Sequence, residues 1–443
     1  MTADLDLLSE AFVFGIPLVF NLDQVNRYVH EGVGANPAAP FNSFSHARTL
    51  AGPADTFVSI NNDTVYSFAQ IDLSGGPVTL ELPDTAGRYY VMQFVDAWTN
   101  NFAYLGHRAT GTAAQQYLLV PPGWNDAESA QLPVIHAPTT VFSIVGRWAC
   151  GGDWDLAAVH ELQDRTRLTP LDAGASLRGV PEIGADIPPA LVFLEKLRLW
   201  SQALPPAASD RAQLASFATL GIGVVGESPY VSFPPERVAE WGAALESANK
   251  ALVEHLRTGE VPMVNGWQLP YHAFDYNLDF FEVGTIDSAQ YTSVPPAQKY
   301  LARAAAALGG LWGNHAYEAA YAAAYVDGNG EQLHGEHSYA LTFAPTPPAK
   351  AFWSITMYSV PNFYLVDNAI NRYSIGSTTE GIQVGEDGSL RIVMSAAEPA
   401  DPEDRANWLP APEGPFRPLL RMYEPDATVL DGTYVIPAIT RLD

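Results

Sequence analysis

The hydrophobic period of this chain changes twice, and that change limits its fold more than any single motif does. After an opening helical pattern over residues 5–28 and a loop rich in Ala, Pro, Asn and Ser, about a hundred residues read as strands. "PVTLELPD", "GRYYVMQFVDAWTNNFAYLG", "QQYLLVPPGW" and "TTVFSIVGRW" are short β-branched and aromatic runs broken by Pro, Gly and Asp. That spacing suits an antiparallel sandwich or barrel. From Asp155 apolar residues recur at three-and-four spacing, as in "ALVFLEKLRLWSQAL", "PPERVAEWGAALESANKALVEHLRTG" and "PPAQKYLARAAAAL". Pro234 and Pro235 stand where a helix start tolerates proline. Near Val326 period two returns, in "SYALTF", "AFWSITMYS", "SLRIVMSA", "FRPLLRMYE" and "GTYVIPAI". Sheet, helices, sheet is not the regular alternation of a parallel doubly wound fold. We expect a β-rich α+β protein with two antiparallel β-sandwich domains, residues 1–154 and 326–443, joined by a mainly helical segment over residues 155–325.

With 443 residues and 47% hydrophobic content the chain can fill more than one core. Its formal net charge of -26, without a Lys/Arg run, repels polyphosphate and anionic headgroups, so nucleic acid and membrane surfaces are not expected partners. Asp4 and Asp6 occupy the place where a signal peptide needs positive charge, and Glu10 interrupts the apolar part, so the N-terminus reads as an amphipathic helix of the fold. No apolar run is expected to be long enough to cross a bilayer. The nearest, "YLARAAAALGGLWGNHAYEAAYAAAYV", contains Arg303, His315 and Glu318, and its alanines suit close helix packing. A single cysteine, Cys150, makes no internal disulfide and no cysteine metal cage, which agrees with a cytoplasmic location.

No G-x-G-x-x-G opens a helix after a strand, and the P-loop, the G-x-S-x-G elbow and H-E-x-x-H do not occur. Nucleotide cofactors and α/β-hydrolase chemistry lose their signatures. "HGEH" supplies His334, Glu336 and His337, but a turn running into a strand does not make two rings converge, so no metal is expected there. His315 and Glu318 read as a helix-surface pair.

Two constellations remain. In "NNDTVYS" and "VDAWTNNF", Asn61, Asn62, Asp63 and Tyr66 stand with Asp96, Trp98, Asn100 and Asn101. Period two puts Asp96, Trp98 and Asn100 on one face, where a carboxylate beside an indole is an acid/base environment. A strand end closed by Asx turns, with Trp98 in the core, fits the same pattern, and both readings stand at this stage. In "AFWSITMYSVPNFYLVDNAINRYSIG", Phe352, Ser354, Thr356 and Tyr358 share one strand face and Trp353 points the other way. Asn371, Arg372 and Tyr373 follow, and Arg372 suits bidentate capture of a carboxylate or enolate oxygen, or a structural pairing with Asp367.

"NNDTVYS", "GRYYVMQFVDAWTNNFAYLGHRATG" and "YLLVPPGW" resemble domain of unknown function 1254. "AFWSITMYS", "NAINRYSIG", "NWLPAPEGPFRPLLRMY" and "VLDGTYVIPAI" resemble domain of unknown function 1214, which follows it in many bacterial proteins. The resemblance implies two jelly-roll-like sandwich domains with helical insertions, and it implies little chemistry. Many relatives carry export signals, and with Asp4, Asp6 and Glu10 this N-terminus is not expected to act as one. Carried onto this sequence, the resemblance adds Asn407 and Trp408 to the candidates. The expected function is a cofactor-free acid/base enzyme, a hydrolase or lyase, acting on a small apolar or aromatic molecule in an interdomain cleft. In that reading Asp63 or Asp96 is the base, Tyr66 or Tyr358 the acid, and Arg372 with the amides steadies developing charge. Asn62, Trp98, Asn100, Asn101, Trp353, Asn371, Asn407 and Trp408 hold the substrate. A non-catalytic small-molecule or carbohydrate binder, and a structural homo-oligomer, are the alternatives.

Overall fold

Period two in the first half builds two sheets that pack face to face. The computed structural model describes residues 2–55, 59–125, 131–259, 261–275 and 299–443. Strands β1 (Ser43–His46), β2 (Thr64–Asp72), β4 (Tyr90–Asp96), β5 (Asn101–Gly106) and β8 (Val141–Ala149) form a five-stranded sheet. Strands β3 (Val78–Leu82), β6 (Gln115–Val120), β7 (Val134–His136) and β9 (Arg167–Pro170) form a four-stranded one. Val65, Ala69 and Ile71 of β2, with Phe142, Ile144 and Trp148 of β8, meet Leu80 and Leu119 in the core between the sheets. Their neighbours Tyr66, Phe68, Val145 and Arg147 therefore lie on the outer face, and Tyr66 stands directly opposite Arg147 across the β2–β8 pair.

The second sandwich repeats this plan. Its six-stranded sheet contains β10 (Met263–Val264), β11 (Trp267–Gln268), β12 (Ala319–Ala324), β14 (Ala349–Ser359), β15 (Ser374–Gly376) and β18 (Phe416–Pro425). Strands β13 (Tyr339–Phe343), β16 (Leu390–Ser395), β17 (Trp408–Pro410) and β19 (Thr440–Arg441) make the four-stranded partner. Trp353, Ile355 and Met357 of β14 and Leu420 and Met422 of β18 point into its core. Phe352, Ser354, Thr356, Tyr358, Arg421 and Tyr423 alternate with them and face the first sandwich.

Helix α1 (Thr2–His30) lies against α3 (Val192–Ala203), α5 (Pro235–Thr258) and α6 (Lys299–Gly310), with Leu18 and Leu22 beside Leu197, Leu252 and Ala304 in a shared core. Helix α2 (Leu156–Arg165) instead packs Val159 and Leu162 into the first sandwich, and α4 (Arg211–Ser216) is a short turn of the helical layer. The start of α5 at Pro235, with Pro234 as its cap, follows the proline rule.

Four expectations need correction. By length and composition α1 is apolar enough to cross a membrane over residues 4–30, although here it is the central helix of the helical layer. The alanine run after α6 is strand β12, so the second sandwich takes up the chain from Ala319 and not from Val326. Alanine favours helices, but Gly309, Gly310 and Gly313 interrupt the run and antiparallel pairing with β18 decides its state. His315 and Glu318 are consequently not a helix-surface pair: both are fully buried just before β12. The segment over residues 155–325 also lends β9 to the first sandwich and β10 and β11 to the second, while its residues 276–298 lie outside the described ones. Apart from the edge pairs β6–β7 and β16–β17, which run parallel, the strands of both sandwiches pair antiparallel as expected.

Candidate functional site

The string that opens β2 is both a turn and a knob between the sandwiches. The Asn61 side-chain oxygen accepts the Asp63 backbone N–H at 2.5 Å, the Asx turn that the sequence suggests, with Asn61 and not Asp63 as its acceptor. Asn61 Nδ2 donates to Thr64 Oγ1 at 2.9 Å and to the Tyr423 hydroxyl at 2.7 Å, which ties the turn to β18. Asn62 Nδ2 donates to the Ala51 carbonyl at 2.5 Å, and its Oδ1 accepts from Ser374 Oγ at 3.5 Å.

Asp63 Oδ2 accepts from Ser354 Oγ at 2.5 Å. Burial pushes its carboxyl above the usual 3.8, opposed by the Arg421 charge and by hydrogen bonds from Ser354 and Ser374. Behind it Arg421, only 4% exposed, donates to Thr356 Oγ1, the Ser59 carbonyl and the Tyr358 hydroxyl, each at 2.8 Å. Tyr358 in turn donates its proton to the Ile60 carbonyl at 2.6 Å. The register explains this cluster: Ser354 is opposite Arg421 on the outer face of the second sandwich, and alternation leaves no core residue between them.

Asp63 opens onto a cleft of about 620 Å³ between the sandwiches. Asn62, Ser354 and Ser374 share it on one side, and Asn371, Arg372 and Tyr373 line its other wall. Asn371 holds a left-handed φ of 49°, which asparagine tolerates, and accepts from the Tyr373 hydroxyl at 3.0 Å. Arg372 Nη1 donates to the carbonyls of Ala406 and Trp408 at 3.0 and 2.9 Å, so part of its fork is structural, and burial lowers its pKa. Trp154, 69% exposed, stands on the rim.

Other sequence candidates lie elsewhere. Asp96 Oδ1 accepts the backbone N–H groups of Trp98 and Asn100 at 2.9 and 2.8 Å, and its Oδ2 accepts Asn100 Nδ2 at 2.8 Å. It closes the β4–β5 turn, where Thr99 has a φ of 67°. Arg303 of α6 binds the Trp98 carbonyl and Asn100 Oδ1, and Trp98 itself packs into the helical core. The turn reading of this pair is the one the geometry has, because the helical layer covers that strand end. Asn101 pairs with Gln93 Nε2 at 2.6 Å, away from the cleft. Trp353 packs on Phe343 inside the second core. Asn407 satisfies the backbone of Gln383 and Arg391, and Trp408 donates to the Ser395 carbonyl. Tyr66 faces Arg147 and Phe68, and Tyr358 backs the cleft with its proton committed to Ile60. Strand alternation and sheet packing account for these positions.

His334 and His337 turn to separate carboxylates, Glu336 at 3.6 Å and Asp443 at 3.3 Å. Among the described residues no group of three His, Cys, Asp or Glu side chains is arranged to hold a metal ion.

Sequence reasoning passed over Ser374, Trp154, Arg147 and Arg421 as site residues. The two arginines carried a readable signal: each stands between apolar or aromatic neighbours inside a strand, in "VFSIVGRWA" and "FRPLLRMYEP".

The chain resembles two family models and solved structures. Residues 41–170 match the family model described as protein of unknown function (DUF1254), and residues 318–427 match that of DUF1214. The first match ends with β9, the last strand of the first sandwich, and the second begins at the entry to β12, after β10 and β11 have already joined the second sandwich. The VPA0106 protein of Vibrio parahaemolyticus, at 23% identity and a TM-score of 0.74, covers 99% of this chain and is itself covered fully, which shows a shared fold. An uncharacterised protein from Burkholderia cenocepacia, 12% identical with a TM-score of 0.46 over 100% of this chain and 96% of its own, is too distant to carry an argument. No protein of curated function matches the chain. Two β-sandwiches in this order, matched by both models, make the chain a member of the tandem DUF1254/DUF1214 family.

Proposed function

We propose that this protein is a cofactor-free acid/base enzyme, a hydrolase or lyase, acting on a small apolar or aromatic molecule in the cleft between its sandwiches. The observation that carries this reading is Asp63: a carboxyl held by Ser354, raised in pKa by burial, at the floor of an open cleft. A carboxyl shifted towards working pH can both take and return a proton. Ser354 fixes its orientation, and the Arg421 charge behind it limits the upward shift. Asn371 and Arg372 on the facing wall supply donors for a developing oxyanion, and Trp154 offers an aromatic face. Another concavity, of about 710 Å³, is a weaker candidate: it lies at the edge of the smaller first sheet and its Arg165 and Arg167 are exposed.

The test starts from a thermal-shift screen of small metabolites on the full chain, with mass spectrometry of the hits after incubation. On a substrate so identified, Asp63→Asn should lower kcat/KM by about a hundredfold or more and remove the acid limb of the pH profile. Turnover that survives this substitution unchanged would end the proposal. Exposed Trp154 favours one competitor, a stacking platform for a sugar or aromatic ligand without chemistry. That reading predicts hits that bind, remain intact, and lose affinity with Trp154→Ala.

A further inference from the structure

We propose that a second cavity, on the outer face of the first sandwich, binds a small aromatic or apolar monocarboxylate through Arg147. It shares only Ala51 with the lining of the Asp63 cleft, and the proposal does not rest on the reading of that cleft. The cavity holds about 190 Å³ and is walled by Tyr28, Tyr66, Phe68 and Trp312. Their rings already contact one another, Tyr28 to Phe68 at 4.7 Å, Phe68 to Trp312 at 5.4 Å and Tyr66 to Phe68 at 5.5 Å. A space of about 150 Å³ lined by apolar groups holds a benzene ring, so this one has room for a ring and a short acidic arm.

Arg147 also lines the cavity and is only 7% exposed. Its Nη1 donates to Gln93 Oε1 at 2.7 Å and Asn314 Oδ1 at 3.1 Å, and its Nη2 donates to the Trp312 carbonyl at 2.8 Å. All three acceptors are neutral. Among the described residues no carboxylate makes an ion pair with this guanidinium; tyrosine oxygens, first that of Tyr66, support its charge against burial. A buried cation with no carboxylate in ion-pair contact, Glu318 acting on it only from a greater distance, is costly, and a ligand carboxylate entering the cavity would supply a direct partner. The fork geometry of arginine suits that group, and the aromatic walls suit an apolar body behind it. Asp55 at the rim, its Oδ2 engaged by the Gly52 N–H at 2.8 Å, disfavours a second negative charge on the ligand.

The probe pair is phenylacetate and its neutral isostere phenylacetamide, titrated calorimetrically into the full chain. Wild type should bind phenylacetate at least tenfold more tightly than the amide, and Arg147→Gln should erase that preference. Because Arg147→Gln also removes structural hydrogen bonds, Val145→Phe, which fills the cavity from its floor, is the independent arm and should abolish binding of both probes. Asp63→Asn should leave phenylacetate affinity within about twofold, so failure here and failure of the cleft reading are distinguishable. Equal affinity for acid and amide, or no phenylacetate binding by wild type up to about 10 mM, overturns the proposal and leaves Arg147 as a tie between β8 and the chain at Trp312 and Asn314.

Discussion

Arg147 and Arg421 occupy similar places in the two sandwiches, on the outer face of the larger sheet and within a long, largely buried strand. Both are buried, and burial works against both charges. Tyrosine oxygens, of Tyr66 and Tyr321 at Arg147 and of Tyr358 and Tyr423 at Arg421, nevertheless hold each guanidinium above its usual range. The surroundings differ in one respect. Arg421 also feels the carboxyl of Asp63, whereas Arg147, although its charge reaches Glu318, donates to a side-chain amide pair and a peptide oxygen beside aromatic rings. A carboxyl that could have served Arg147 is Glu318, but burial, and then the nearby Glu424, raise it to about 7, so below neutral pH it keeps its proton. It uses its Oε1 to accept from the Tyr89 hydroxyl at 2.6 Å. The same device, a cation on a sheet's outer face, is thus completed within the chain in one sandwich and left open to a cavity in the other.

That contrast fixes the order of expected effects. Arg421→Gln should be the most damaging, about 3 kcal/mol in urea unfolding, because it strands Asp63, Thr356 and the Ser59 carbonyl in a buried interface. Arg147→Gln leaves only neutral acceptors behind and should cost about 1 to 2 kcal/mol. A larger loss for Arg147 than for Arg421 would mean that the two sites are not as different as their partners suggest.

Glu318 sharpens the comparison through pH. Its folded pKa lies above its ordinary 4.5, so between 4.5 and about 7 the folded state binds more protons than the unfolded one. Its contribution is full below that window and is lost as pH rises through it. Glu318→Gln should remove that decline, about 3 kcal/mol across the window, read from urea midpoints at fixed pH. Burial instead lowers His315 from 6.5 to about 4, which acts oppositely: its contribution is lost as pH falls through that range. The smallest effect on stability belongs to Trp154→Ala, within about 0.5 kcal/mol, since the ring is exposed; any consequence should be confined to ligands of the cleft.

Much of the architecture was legible because it depends on local pattern. Period two marked both sheets and assigned Trp353 and Ser354 to opposite faces, and the prolines marked the start of α5. The motif "NNDTVYS" was legible as a turn, and Asn61 makes it. Strand β12 was not, since an alanine run carries helix propensity and only pairing with β18 overrides it. Nor could pattern divide the polar candidates. Asp96 and Asp63 are both carboxylates beside strands, yet one meets the backbone N–H groups of its own turn and the other a serine of the opposite sandwich.

What the sequence by itself determined is which residues share a face, because a strand's alternation and a helix's turn are properties of a few consecutive residues. Which faces meet is set by contacts between segments hundreds of residues apart, such as Asn61 with Tyr423 and Asp63 with Ser354. The tertiary structure alone therefore decided that Asp63 borders a cleft, that Asp96 is sealed beneath the helical layer, and that Arg147 faces a cavity. A buried polar group takes its chemistry from what is packed against it, and no local period encodes that neighbour.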